Sequence, residues 1–168
     1  MIKLYEIEGL FPNISQEGFS VFLSSFSASA SAYFTGWTST TPYFTTSNFS
    51  TTNGIYTVPV TGVYAVTATI NYVTNSAITA SIGSSVSPSV IMRRTSPTST
   101  DLVSGLLPLE NISLTLLTLR AVLGGAAITL SGVVSLSKAD LVRLYYNSST
   151  MTVALTFQNM TWTIYRLS

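Results

Sequence analysis

The sequence predicts an all-β protein, a sandwich or a barrel, and three observations carry the prediction. Apolar and polar residues alternate with a period of two along most of the chain. No stretch of any length shows the 3.6-residue period of a helix. About ten alternating runs recur at near-regular spacing between Gly, Pro and Ser/Thr punctuation, which is the pattern of a β-sandwich or barrel.

Taken in order, residues 1–16 read as a lead-in. Leu4, Glu6 and Glu8 alternate until Gly9 and Phe11-Pro12-Asn13 close the piece, which is placed to anchor the domain that follows, 17–168, to something else. Phe19 to Leu23 is a first strand. Ser24 to Thr52 is rich in Ser, Thr and Ala but carries Phe26, Tyr33, Phe34, Trp37, Tyr43, Phe44 and Phe49. Each ring contributes about 1.5 to 3 kcal/mol when buried, so the segment is expected to be ordered. Next comes Asn53-Gly54-Ile55-Tyr56-Thr57-Val58-Pro59-Val60-Thr61-Gly62-Val63-Tyr64-Ala65-Val66. Two runs, Tyr56/Val58/Val60 and Tyr64/Val66/Ala68/Ile70/Tyr72, are hinged there at a glycine, as two strands each burying one face would be. Ile78/Ala80/Ile82 and Val90/Met92 are short strands, and Arg93 to Gly105 is a loop by its Pro97, its hydroxyls and its charge. Alternation returns in Ile112/Leu114/Leu116 and, around Gly124-Gly125, in Ile128/Leu130. It continues in Val134/Leu136, Val142/Leu144/Tyr146, Val153/Leu155/Phe157 and Trp162/Ile164.

The composition excludes several functions. A chain of 168 residues is sized for one well-filled core. Charged residues are 8% of it and hydrophobic residues 46%, while 51 Ser and Thr supply much of the polar surface. So little charge on so apolar a chain implies that part of the surface is covered by other subunits. A net charge of +1 with seven Lys and Arg gives no footprint for nucleic acid or an anionic membrane. The absence of Cys and His removes disulfides, thiolate chemistry, the commonest metal ligand and the commonest general base. The opening Met1 to Glu8 is interrupted by charge, so no signal peptide is expected. Leu106 to Val134 is the most lipid-like region. Glu110, Arg120 and scattered hydroxyls break it, and it reads as buried strands with no membrane insertion.

Three places resemble the globular heads of complement C1q and tumour necrosis factor-like proteins. The first is the hinged pair, through Gly54, Tyr56, Pro59, Val60, Gly62 and Tyr64, with Val66 where the family usually has phenylalanine. The second is Gly132 to Leu144, similar to the family's penultimate strands joined by a Gly-Asp turn, here with Ala139 in place of the glycine. The third is Thr161-Trp162-Thr163-Ile164-Tyr165-Arg166-Leu167, which resembles the terminal aromatic strand, with Ile164 at a usual glycine. The resemblance spans roughly Phe19 to Leu167. It implies a ten-strand jelly-roll sandwich that closes as a homotrimer, with Phe19, Tyr56, Tyr64, Val66, Trp162 and Tyr165 in the core or along the subunit contact.

No catalytic, cofactor or metal residue is expected. The six carboxylates, Glu6, Glu8, Glu17, Asp101, Glu110 and Asp140, form neither a glycosidase pair nor a calcium loop, and no serine has a histidine to activate it. Glu6 and Glu8 read as edge charges and Asp140 as a turn residue. Arg93-Arg94, the one adjacent basic pair, is a candidate for acidic or sulfated glycans in three copies, its alternative being a solvated loop. Trp37 is a candidate to stack on a sugar, its alternative being a core or interface tryptophan. Asn13, Asn48, Asn111, Asn147 and Asn159 stand in Asn-X-Ser/Thr, a weak excess over chance in so hydroxyl-rich a chain. The expected function is that of a non-enzymatic trimer decorating or capping a virion or a microbial surface, attached through the lead-in and serving host attachment. The alternative is a soluble C1q- or cytokine-like recognition head for a receptor or glycan. Either places it on a virion or outside the cell.

Overall fold

The computed structural model describes residues 17–75, 82–114 and 117–168. The lead-in 1–16 and the Ile78/Ala80 part of one expected strand lie outside the described residues. Twelve strands are described and no helix: β1 (Gly18–Ala28), β2 (Ala32–Tyr33), β3 (Phe49–Ser50), β4 (Ile55–Thr57), β5 (Gly62–Thr74), β6 (Ser89–Ser96), β7 (Thr100–Leu106), β8 (Leu109–Leu114), β9 (Leu117–Val122), β10 (Gly125–Leu136), β11 (Leu141–Asn147) and β12 (Leu155–Arg166). A four-stranded sheet runs β1-β12-β5-β10. A six-stranded sheet runs β3-β4-β11-β6-β7 with β2 also on β11, so ten strands make the two sheets, and β8-β9 form a separate hairpin. The pairings are antiparallel, as suits sheets with one buried and one outer face.

The inner faces meet in one aromatic-rich core. Phe19 stacks on Phe49 at 4.2 Å, and Trp162 meets Phe19 and Phe49 edge-on at 4.9 and 5.4 Å. Two runs expected as separate strands, Leu155/Phe157 and Trp162/Ile164, are one strand here. A bulge between Gln158 and Thr161, with Asn159 at φ 49°, resets the alternation so that Leu155, Phe157, Met160, Trp162 and Ile164 are all buried. Val134/Leu136 likewise continues the β10 strand that contains Ile128 and Leu130, while Val153 lies outside any strand.

The hinged pair is a crossing between sheets, not a hairpin. Tyr56 pairs within the six-stranded sheet and Tyr64 within the other, and Val60, expected on the buried face, is exposed because the chain is turning there. In the β3-β4 turn that precedes the crossing, Gly54 sits at φ 62°, and a Cβ there would lie 2.2 Å from the Phe34 carbonyl, so that turn admits no side chain. The expected loop Arg93–Gly105 is instead the β6-β7 hairpin, with Arg93 opposite Asp101. Its hydroxyl-rich alternation reads as a loop in one dimension but suits a strand with one face in water.

Candidate functional site

The two outer faces of the sandwich differ in chemistry. On the four-stranded sheet, register and burial place Thr161, Thr69 and Thr129 in one cross-strand row and Ser20, Thr163, Thr67 and Ser131 in the next. The following row is Tyr165, Ala65 and Val133. Tyr165 is 43% exposed and Val133 64%, and Phe44 lies 6.0 Å from the Tyr165 ring. Among the described residues no Asp, Glu, Lys or Arg lies on this face. The β1 edge is covered by the following segment, which bridges Ser20 to Phe44 and Phe22 to Thr38.

The outer face of the six-stranded sheet is built from Tyr33 on β2, Arg143 and Tyr145 on β11, Arg93 on β6 and Asp101 on β7. Arg143 and Tyr145 alternate with Val142, Leu144 and Tyr146, which are buried, so the strand turns one residue set to each side. Arg93 pairs directly with Arg143 on one side and Asp101 on the other. Its Nε and Nη2 donate to the two Asp101 oxygens at 2.5 and 3.2 Å, and its guanidinium lies 4.4 Å from the Tyr145 ring centre. The Asp101 carboxylate holds the Arg93 pKa above its ordinary value. Arg143 lies 4.0 Å from the Tyr33 ring centre and donates through Nη2 to the Asn53 carbonyl at 2.8 Å. Its Nε is buried without a hydrogen-bond partner, and burial lowers its pKa. Tyr33 and Tyr145 are themselves 4.8 Å apart.

These positions revise the candidate ligand residues. Trp37 is buried against Trp162 at 5.7 Å, with Nε1 donating to the Phe34 carbonyl, so its ring is not presented to a sugar. Arg93 and Arg94 stand in a strand, on opposite sides of the sheet. Arg94 reaches the buried Asp140 at 3.5 Å, the Thr100 hydroxyl at 3.0 Å and the Thr98 carbonyl at 3.3 Å. Adjacent residues in a strand cannot share a face, and each of these cations already has a carboxylate. Of the residues expected in the core or at the contact, Phe19, Tyr56, Tyr64, Val66 and Trp162 are buried within one chain, and Tyr165 lies on the outer face. Arg143, Tyr33 and Tyr145 were not singled out from sequence. The signal that marks two of them is the Arg143-x-Tyr145 spacing opposite the buried Val142/Leu144/Tyr146 set.

At the start of the described domain a polar cluster holds the chain. One Glu17 oxygen accepts from the Tyr56 hydroxyl at 3.2 Å, Asn48 Nδ2 at 3.2 Å and the Thr46 hydroxyl at 3.3 Å. Burial, reinforced by the Glu17 charge, pushes the Tyr56 hydroxyl far above the ordinary tyrosine value. Asn48 is thereby engaged as a hydrogen-bond donor rather than free at a surface. Among the described residues no group of three or more Cys, His, Asp or Glu is placed to hold a metal.

The four-stranded sheet ordered β1-β12-β5-β10 facing β4-β11-β6-β7 is a jelly-roll arrangement. The chain is similar to the globular domain of zebrafish complement 1qA at 14% identity, with 91% of this chain and 98% of that one covered and a TM-score of 0.50. It is similar to Eiger TNF from S. frugiperda at 13% identity, covering 91% and 94%, with a TM-score of 0.56. This is the C1q/TNF-like jelly-roll fold. No family model matches the sequence, and neither does any curated protein. Within this fold the charge-free face belongs to the sheet containing both termini of the described domain, and the Arg/Tyr face to the opposite one.

Proposed function

We propose that the chain acts as a non-enzymatic homotrimer that decorates or caps a virion or a microbial surface, with the subunits meeting through the outer face of the four-stranded sheet. The observation that carries this reading is the charge-free face itself. Its hydroxyl rows and the row of exposed Tyr165 and Val133 about the half-buried Ala65 can leave water without stranding a single charge. A trimer also answers the composition, since so few charges leave other surfaces apolar. The fold supports a recognition or structural role in general, and the lack of histidine, cysteine and an activated hydroxyl supports a role without catalysis.

Attachment to the larger assembly is assigned to the lead-in 1–16. The described chain begins at Glu17, which the Thr46, Asn48 and Tyr56 side chains tie to the sandwich, so a pull on the lead-in is carried into the β-sheets. A receptor or glycan role is the second reading, and the Arg/Tyr face favours it. Light scattering at micromolar concentration tests the assembly: a trimer is expected, and a monodisperse monomer overturns the reading.

A further inference from the structure

The cross-strand row Asp101, Arg93, Arg143 holds two guanidinium groups and one carboxylate. Like charges directly opposite across an antiparallel pair, with Cβ atoms about 4.5 to 5.5 Å apart, repel. Asp101 is taken by Arg93 through two hydrogen bonds. Arg143 has a ring beneath it and one backbone carbonyl, and among the described residues no carboxylate reaches it. Its Nε is buried without a partner. A partly desolvated guanidinium with no carboxylate of its own is short of one charge-assisted partner, and because the Nε is buried a ligand would meet it through the terminal nitrogens.

We propose that Arg143, flanked by Tyr33 and Tyr145, is the seat of one carboxylate carried by an acidic sugar residue. The charge balance selects the class. The row is net +1, which one carboxylate neutralises, whereas a sulfated polysaccharide or a nucleic acid needs a cluster of unneutralised cations that this face does not have. The Tyr33 ring and the Asn53 carbonyl already hold the guanidinium in place, so its fork meets a carboxylate with little side-chain entropy left to lose. The two phenols beside it offer hydroxyls to sugar hydroxyls, which suits a polyol better than an aliphatic ligand. The site is complete within one chain and does not depend on the proposed trimer. Three copies would convert a weak site into useful avidity.

The test is ligand-observed NMR titration of the full chain with glucuronic acid and with N-acetylneuraminic acid, against glucose and heparin. Saturable binding of at least one acid is expected with a Kd on the order of 1 mM and none of glucose. Arg143→Gln should weaken it at least tenfold. Arg143→Lys, which keeps the charge without the planar fork, should also weaken it. Asp101→Asn frees Arg93 and should tighten binding about two- to fivefold, the size of an exposed ion pair. Because Asp101 is on the surface, this variant decides the matter even if the Arg143 variants fold poorly. No saturable binding of either acid, unchanged binding in Arg143→Gln, no tightening in Asp101→Asn, or glucose binding as well as the acids would each overturn the proposal. So would heparin binding that Arg143→Gln leaves intact while the monosaccharides do not bind.

Discussion

Across β12, β5 and β10 the outer face presents Thr161, Thr69 and Thr129, then Thr163, Thr67 and Ser131, whereas across β11, β6 and β7 it presents Arg143, Arg93 and Asp101. Both faces arise from the same period-two alternation, and both back onto the same core. Hydroxyls surrender water at modest cost when they find partners, and ions do so at high cost, so the first face is suited to being covered and the second to staying wet. The scarce charge of this chain is distributed accordingly. The face proposed as the subunit contact carries none, and the face proposed for a polar ligand carries the longest charged row described.

The sharpest way to break this comparison is Val133→Arg, which puts one cation in each copy on the charge-free face. Loss of the trimer to monomer in light scattering is expected, while Asp101→Asn on the other face leaves the stoichiometry unchanged. A Val133→Arg protein that stays trimeric moves the contact elsewhere.

The layer between the faces should fail as one unit. Trp162→Ala is expected to cost about 3 to 5 kcal/mol in denaturant titration, and Thr98→Ala, in the β6-β7 turn, less than about 0.5 kcal/mol. Similar losses from both would dissolve the distinction between core and surface.

Alkaline pH probes the same layer. Burial pushes the hydroxyls of Tyr72 and Tyr146 up to about 12 from the ordinary 10. A phenol whose folded pKa is raised stabilises the fold fully below about pH 10, and that contribution is lost as pH climbs through the folded value. At pH 11 the two together should lower stability by about 2 to 3 kcal/mol, at about 1.4 kcal/mol per unit each. A denaturant midpoint that holds steady from pH 8 to 11 would remove these hydroxyls from the core. Between about pH 5.5 and 8, with no histidine to titrate, the melting temperature should stay flat, with EDTA or with calcium.

A small gain in stability is expected at the turn that carries the chain from β10 in one sheet to β11 in the other. Ala139, between β10 and β11, sits at φ 72°, which costs an alanine about 1 kcal/mol. Ala139→Gly should therefore raise stability by about 0.5 to 1 kcal/mol in thermal unfolding, and a loss of that size would show the left-handed turn to be wrong.

Most strands were legible because alternation is a local property. Tyr64 to Tyr72, Val142 to Tyr146 and Trp162 to Ile164 bury the sides that their spacing assigns. The β6-β7 hairpin was not legible, because the feature that orders it, Arg93 against Asp101, joins residues on two strands. The bulge at Asn159 hid in the same way: two out-of-phase runs look like two strands until the partner strand shows them to be one. Trp37, bounded by glycine and hydroxyl residues, gave no local sign that Trp162 would cover it.

The sequence by itself determined the all-β class, the inward residues of the long strands β5, β10, β11 and β12, the scarcity of charge and the resemblance to C1q/TNF heads, since these depend on residue type and on spacing within a single strand. Tertiary structure alone decided which strands lie side by side. That register sets Arg93 between Arg143 and Asp101, the single carboxylate of the row, and leaves three neighbouring strands with an outer face free of charge. The physical reason is that cross-strand neighbours are fixed by hydrogen bonds between segments far apart in the chain, which no local pattern encodes.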